Sequence, residues 1–251
     1  MISFVENTNL PCGKVKALIC AGNDNEILDF FESHGIEAFK VSSNENIDSS
    51  VSSHADMSAL HLGRERIIVD KMQVILKHKL EEIGMTVFET SEKISGCYPH
   101  DIKLNFTLLG RRAFGKFGYA DKVLCELLSG KEIISVRQGY CKCSVLVVRE
   151  NAVITDDVAI HHKMLENDVD SLLINKGDIS LPGHEYGFIG GASGKISENE
   201  VVFFGNIRNH RDFEKINSFL AKHGCDFVCT DDGCLRDIGG IIPIVEEKLR
   251  N

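Results

Sequence analysis

At 251 residues, with 43% hydrophobic and 26% charged content, the chain can bury a substantial core, and its composition excludes a disordered protein. A net charge of −9, with Arg111-Arg112 and nearby Lys116 as the densest basic spot, excludes a dedicated nucleic-acid or anionic-membrane surface. No apolar run approaches the roughly 20 residues that span a bilayer, and Met1 to Leu10 lacks the basic start and apolar stretch of a signal peptide, so a cytoplasmic setting with reduced cysteines is expected.

In chain order, Val15 to Cys20 reads as a strand, Glu26 to His34 as a helix and Glu37 to Val41 as a strand. The next segment is the clearest. Ser58 to Leu62 and Arg66 to Asp70 read as a hairpin about Gly63-Arg64-Glu65. Val74, Ile75, Leu76, Leu80 and Ile83 recur near helical period, Gly84 caps that helix, and Thr86 to Thr90 is β-branched and aromatic. Ile102 to Leu109, a loose hairpin through Phe114 to Phe117, a helix over Ala120 to Leu128 and a strand over Glu132 to Val136 follow the same plan. So do Ser144 to Val148, Ala152 to Thr155, a helix over Val158 to Leu165 and Ser171 to Ile174. The last copy runs through Gly194 to Ile196, Val201 to Phe204, a helix over Arg211 to His223 and Asp226 to Cys229. Ile241 to Ile244 adds a strand at the end of the chain.

The units are opened by a recurring acidic or glycine-rich turn. Its copies are His54-Ala55-Asp56-Met57, Tyr98-Pro99-His100-Asp101, Tyr140-Cys141-Lys142-Cys143, Phe188-Ile189-Gly190-Gly191 and Asp237-Ile238-Gly239-Gly240. The markers Asp56, Asp101, Cys143, Gly190 and Ile238 are 45, 42, 47 and 48 residues apart. Such a period means one supersecondary unit copied about an axis or along a line. The first unit is split between the two chain ends, which favours a ring over an open row, because a ring leaves no exposed sheet edge. The base-rate competitor is a helical-repeat scaffold, which requires the strand readings to fail.

Five ββαβ units around an axis, with acidic and glycine-rich turns at the centre, resemble the pentein superfamily. That superfamily includes arginine deiminases, dimethylarginine hydrolases and amidinotransferases, a non-enzymatic ribosome anti-association factor, and uncharacterised bacterial members. The resemblance implies an α/β fold, a five-bladed pseudo-symmetric propeller closed by N- and C-terminal strands, with residues 1–251 as a single domain. It also implies a site in the central channel for a small cationic nitrogen compound, a guanidino or amino-acid derivative. In the enzymes, carboxylates hold the planar cation, a Cys attacks its carbon and a His moves protons.

Placed on this sequence, the resemblance assigns Asp56 to the early acidic turn and Asp101 to a Gly-Gly-Asp-like turn in which Pro99-His100 replace the glycines. The usual His position is occupied by Tyr140, and the last central turn, Asp237 to Ile242, holds no Cys. The candidates for a displaced nucleophile are Cys143, beside Lys142, and Cys234, three residues before Asp237; each is equally a cysteine without a role. His54 is the candidate acid–base group, and alternation along Ser58 to Leu62 puts it on the side of Asp56 and away from His61. Asp56, Asp101 and Asp237 are the candidate cation-holding groups, and Asn105 shares parity with Asp101 and Lys103 along an extended segment. The run Gly187 to Lys195 departs from the phosphate-loop pattern at Ile189 and Ile196, so Gly190, with Ser193 as a donor, is read as close backbone approach to a ligand. No cofactor is implied. The thiol spacings lack the pairs of a structural zinc site, so no metal is expected. The expected reading is a Cys-dependent hydrolase or transferase acting on a C–N bond, or a non-catalytic binding protein of the same fold; the oligomeric state is left open.

Overall fold

The computed structural model describes residues 1–22 and 24–248. Strand β1 (Ile2–Phe4) is followed by β2 (Lys14–Cys20), α1 (Asn25–Ser33) and β3 (Glu37–Lys40). A single helical turn, α2 (Ala55–Ser58), leads into β4 (Ala59–Gly63), β5 (Arg66–Val69), α3 (Val74–Glu82) and β6 (Thr86–Glu89). Then come β7 (Thr107–Leu109), β8 (Arg112–Gly115), α4 (Lys122–Leu127) and β9 (Glu132–Ser135). The fourth group is β10 (Val145–Arg149), β11 (Ala152–Thr155), α5 (Val158–Leu165) and β12 (Asp170–Leu173), followed by the short β13 (Ile179–Ser180). The fifth is β14 (Ser193–Ser197), β15 (Glu200–Phe203), α6 (Phe213–Lys222) and β16 (Asp226–Cys229), with β17 (Leu235–Arg236) and β18 (Ile242–Glu247) completing the chain.

Four sheets share one topology: an antiparallel hairpin, a helix, and a third strand parallel to the second. The other sheet has the order β1-β18-β2-β3, in which β18 runs antiparallel to β2 and β3 parallel to it. Thus β18, from the far end of the chain, stands where a hairpin partner stands elsewhere. No sheet among the described residues closes on itself; the chain ends meet within one open sheet. Strands β13 and β17 form a separate parallel pair. The helical-repeat alternative is overturned by these sheets.

Short side chains set the helix starts. Asp24, Asp121 and Asp157 each accept hydrogen bonds from N–H groups of the following first turn, satisfying donors that have no partner inside the helix. Each helix packs its apolar stripe between neighbouring sheets. Leu76 and Leu80 of α3 join the first and second sheets, Leu124 of α4 the second and third, and Ile160 and Met164 of α5 the third and fourth. Ile216 and Leu220 of α6 pack where the fourth sheet meets the fifth, and Ile27 and Phe31 of α1 where the fifth meets the first. Continuous apolar strands such as Val145–Arg149 and Ala152–Thr155 are buried on both faces because each sheet has a core on either side.

Two readings need correction here. The turn that holds Asp56 is helical and takes in Ser58, so alternation carried back from Ser58 does not place His54; strand pairing begins at Ala59. The third hairpin begins at Thr107. Residues 102–106 form turns, in which Asn105 N–H donates to the Ile102 carbonyl, so Asp101, Lys103 and Asn105 do not share a strand face. Cys20 and Cys225 are buried, but Cys125 is exposed, because α4 turns only Leu124 fully inward. No described helix is long and apolar enough to cross a membrane.

Candidate functional site

The five turn segments meet through a continuous set of short contacts. Asp56 N–H donates to the Gly239 carbonyl at 3.3 Å, and His54 packs directly on Gly239. Gly239 and Gly240 have φ of 79° and 63°, a left-handed path that a side chain strains, and a Cβ on Gly239 would collide with His54. Asp237 ties this turn to the glycine-rich one. Its Oδ1 accepts from Gly239 N–H at 3.0 Å, its Oδ2 from Phe188 N–H at 2.8 Å, and the carboxylate fills the space a Cβ of Gly191 would need. Gly190 in turn lies against the carbonyls of Lys142, Cys143 and Val145.

Asn105 completes the junction. Its side-chain carbonyl accepts from the N–H groups of Lys142 (2.7 Å) and Cys143 (3.3 Å), and its amide donates to the Asp56 carbonyl (3.2 Å) and the Cys143 sulfur (3.0 Å). The side chain is fully buried, so all four bonds form away from water.

Above this junction opens a cavity of about 260 Å³. His54, Cys143 and Asp237 line it, with Val51, Leu181, Tyr140, Tyr186 and Phe188 forming apolar and aromatic walls and His184 and Glu185 also lining it. His54 Nδ1 is 3.8 Å from Asp237 Oδ1 and has no hydrogen-bond partner among the described residues. Asp56 is 1% exposed, and among the described residues the one hydrogen-bonding side chain set against its carboxylate is the Cys143 thiol. Burial pushes its carboxyl up to about 6; His54 and Lys142 pull the other way, and Asp237 adds to the rise. Burial also pushes the Cys143 thiol well above its ordinary range, and the carboxylates of Asp56 and Asp237 push it further. Lys142 is buried, and its charge opposes the rise at Asp56.

The remaining sequence candidates are placed differently. Asp101 accepts a 2.7 Å hydrogen bond from the Tyr140 hydroxyl, so the residue in the usual His position holds that acid. Burial raises the Asp101 carboxyl, and the bond from Tyr140 offsets part of the rise. Ser193 is not available as a donor to a ligand, since its buried hydroxyl donates to the Ile189 carbonyl at 2.6 Å. Cys234 is exposed in the loop before β17 and does not line the cavity, so of the two thiols only Cys143 reaches it. His61, the alternative imidazole, is buried on the hairpin with Nε2 at 2.7 Å from the Arg64 carbonyl, and burial lowers it to about 4.

Sequence reasoning missed Asp156 and the wall residues His184, Glu185 and Tyr186. Asp156 is 3% exposed, neither oxygen is hydrogen-bonded among the described residues, and burial raises it to about 7, with Asp157 and Asp237 adding to the rise and Lys176 opposing it. The signal was the register between units. Asp70 follows β5 as Asp156 follows β11, but Asp70 accepts from Ile94 N–H, Met72 N–H and the Asn44 amide. Groups of His, Cys, Asp and Glu suited to holding a metal are absent among the described residues.

Comparison with solved structures finds 44 matching chains. The inosamine-phosphate amidinotransferase of Streptomyces griseus aligns with a TM-score of 0.63 at 10% identity, over 99% of this chain and 98% of that one. An amidinotransferase of the saxitoxin biosynthetic pathway of Microseira wollei aligns with a TM-score of 0.61 at 9% identity, over 98% and 99%. The agmatine deiminase of C. jejuni gives 0.56 at 13% identity, over 100% and 98%. The fold is therefore the pentein fold that these enzymes share. Among curated proteins no sequence matches. A family model does match, over residues 19–242, and the chain belongs to that family, the family of unknown function DUF6873.

Proposed function

We propose that residues 1–251 form one domain, a five-bladed pseudo-symmetric α/β propeller, whose central cavity binds a small cationic nitrogen compound, a guanidino or amino-acid derivative. The cores that join each sheet to the next, and the fifth to the first, support the ring. The observation that carries the functional reading is that Asp237, His54 and Cys143 line one cavity, with the buried Asp56 against Cys143. Buried carboxylates are costly, and a cation in the cavity offsets their charge. The partner is thus a small molecule, in a cytoplasmic setting that keeps the thiols reduced.

On this reading the chain is a divergent amidinohydrolase or amidinotransferase. A guanidinium held at Asp237 offsets the negative charge that, together with burial, keeps the Cys143 thiol protonated. The thiol proton passes to a carboxylate as sulfur bonds to the guanidinium carbon. His54 then protonates the leaving amine as its C–N bond breaks, and water or an acceptor amine displaces the sulfur. The second reading is a binding protein without turnover. It is favoured by the same thiol, which burial and the neighbouring carboxylates push well above its ordinary range.

The test is a thermal-shift screen with arginine, agmatine and related compounds, followed by product analysis for any that stabilise. Stabilisation abolished by Asp237→Asn supports the site, and turnover abolished by Cys143→Ser assigns the enzyme reading. Stabilisation without turnover leaves the binding reading, and the absence of any stabilising cation sinks both.

A further inference from the structure

Three aromatic rings line the cavity beside the acids. Tyr140 and Phe188 lie with ring centroids 6.1 Å apart, tilted by 39°, and Tyr186 stands at 89° to Phe188 with centroids also 6.1 Å apart. Rings at such angles present faces from different directions rather than a single stack. Both phenol hydroxyls are engaged: Tyr140 donates to Asp101 at 2.7 Å, and Tyr186 accepts from the Lys176 ammonium at 3.3 Å. That ammonium also lies 5.2 Å from the Tyr186 ring centroid, so this ring already associates with one cation of the chain itself. Phe188 N–H donates to Asp237, and Gly187 lies against the Asp237 side chain without room for a Cβ, so the acid is tied to the segment that carries Phe188.

Resting on the cation-site reading above, we infer that the cavity selects a cation whose nitrogen is N-alkylated, an N-trimethylammonium head group being the fitting case. The wall formed by Tyr140, Tyr186 and Phe188 offers π-faces and few acceptors. A primary ammonium turned toward that wall leaves N–H donors unpaired, whereas methyl groups carry the positive charge onto the ring faces without that loss. Asp237 and the exposed Glu185 supply the counter-charge at the same cavity.

The experiment is isothermal titration of the full chain with choline and with ethanolamine, its unmethylated counterpart, alongside agmatine. Choline is expected to bind at least about tenfold tighter than ethanolamine. Phe188→Leu and Tyr186→Leu, confirmed folded by circular dichroism, are expected to abolish that preference, and Phe188→Tyr to keep it. Equal or tighter binding of ethanolamine, or binding of agmatine without choline, overturns the inference and leaves the cation site standing. Absence of binding by all three overturns the inference and removes the support for the cation site. Choline-competed sedimentation with phosphatidylcholine vesicles would place the head group on a lipid, and choline binding without sedimentation on a free solute; both are the expected chemistry.

Discussion

Asn105 grips Cys143 at two points, donating to its sulfur at 3.0 Å and accepting from its N–H at 3.3 Å. The same side chain bonds Lys142 and Asp56, so one amide holds three of the meeting segments together. Asn105→Ala leaves buried donors unsatisfied and is expected to cost on the order of 1–3 kcal/mol, read as a lower urea midpoint with unchanged slope. A midpoint equal to the wild type would show that these bonds carry no net stability.

The contributions of Asp56 and Asp156 to stability should fall as pH rises from about 4 to about 7, while the buried His61, lowered to about 4, contributes in the opposite direction over much of that range. The carboxyls of Asp56 and Asp156 are raised from 3.8 to about 6 and about 7, so the folded chain binds more protons than the unfolded chain across that window. Their contribution is fully present below 3.8 and is lost as pH passes through the folded values. For Asp56 the loss is on the order of 3 kcal/mol. Asp56→Asn and Asp156→Asn should each gain melting temperature relative to the wild type as pH rises between those limits. Variant profiles that run parallel to the wild type would contradict this assignment.

Iodoacetamide at neutral pH should label the exposed Cys12, Cys97, Cys125 and Cys234 well before Cys143. Peptide mass spectrometry against time gives the order. Labelling of Cys143 first would mean that its thiolate forms without added ligand. If a bound cation activates the thiol, a sub-saturating guanidino compound should speed Cys143 labelling selectively.

Gly239→Ala should be among the most damaging single substitutions at the turns. It combines strain at a φ of 79° with a collision between the new Cβ and His54. A loss of about 2 kcal/mol or more is expected, together with weakened ligand binding, measured by chemical unfolding and titration. A variant as stable as the wild type would mean that the turn relaxes without cost.

The helix and hairpin assignments were legible where periodicity is long enough to read. Thr86–Glu89 and Asp226–Cys229 stand within a residue of where their β-branched and aromatic patterns place them. The junction was less so. A single turn such as Ala55–Ser58 has no period to detect, so its helical form is not legible and Ser58 reads as the start of the strand. Ile102 to Phe106 looks strand-like because its apolar residues are buried, yet the side chain of Asn105 is directed to another segment and its backbone closes a turn. Asp156 was hidden by its neighbour: Asp157 caps α5, so the pair reads as one helix start. The marker spacing brought His54, Cys143 and Asp237 to one cavity, but Cys234 and Ser193 depended on local direction, which spacing does not encode.

The pairing of β18 with β2 sets the order in which the molecule can be assembled. Ile19 finds its partner Ile242 only after more than 220 intervening residues have been made, although β3 is available within a few tens. While the chain is being synthesised, β2 therefore presents an unpaired edge beside a buried-type apolar sequence. Contacts this distant in sequence form late and slow folding. The turn at Asp237 lies just ahead of β18, so the cavity's last component and the closing strand arrive together, and a nascent chain lacking them has neither a finished first sheet nor a complete cavity.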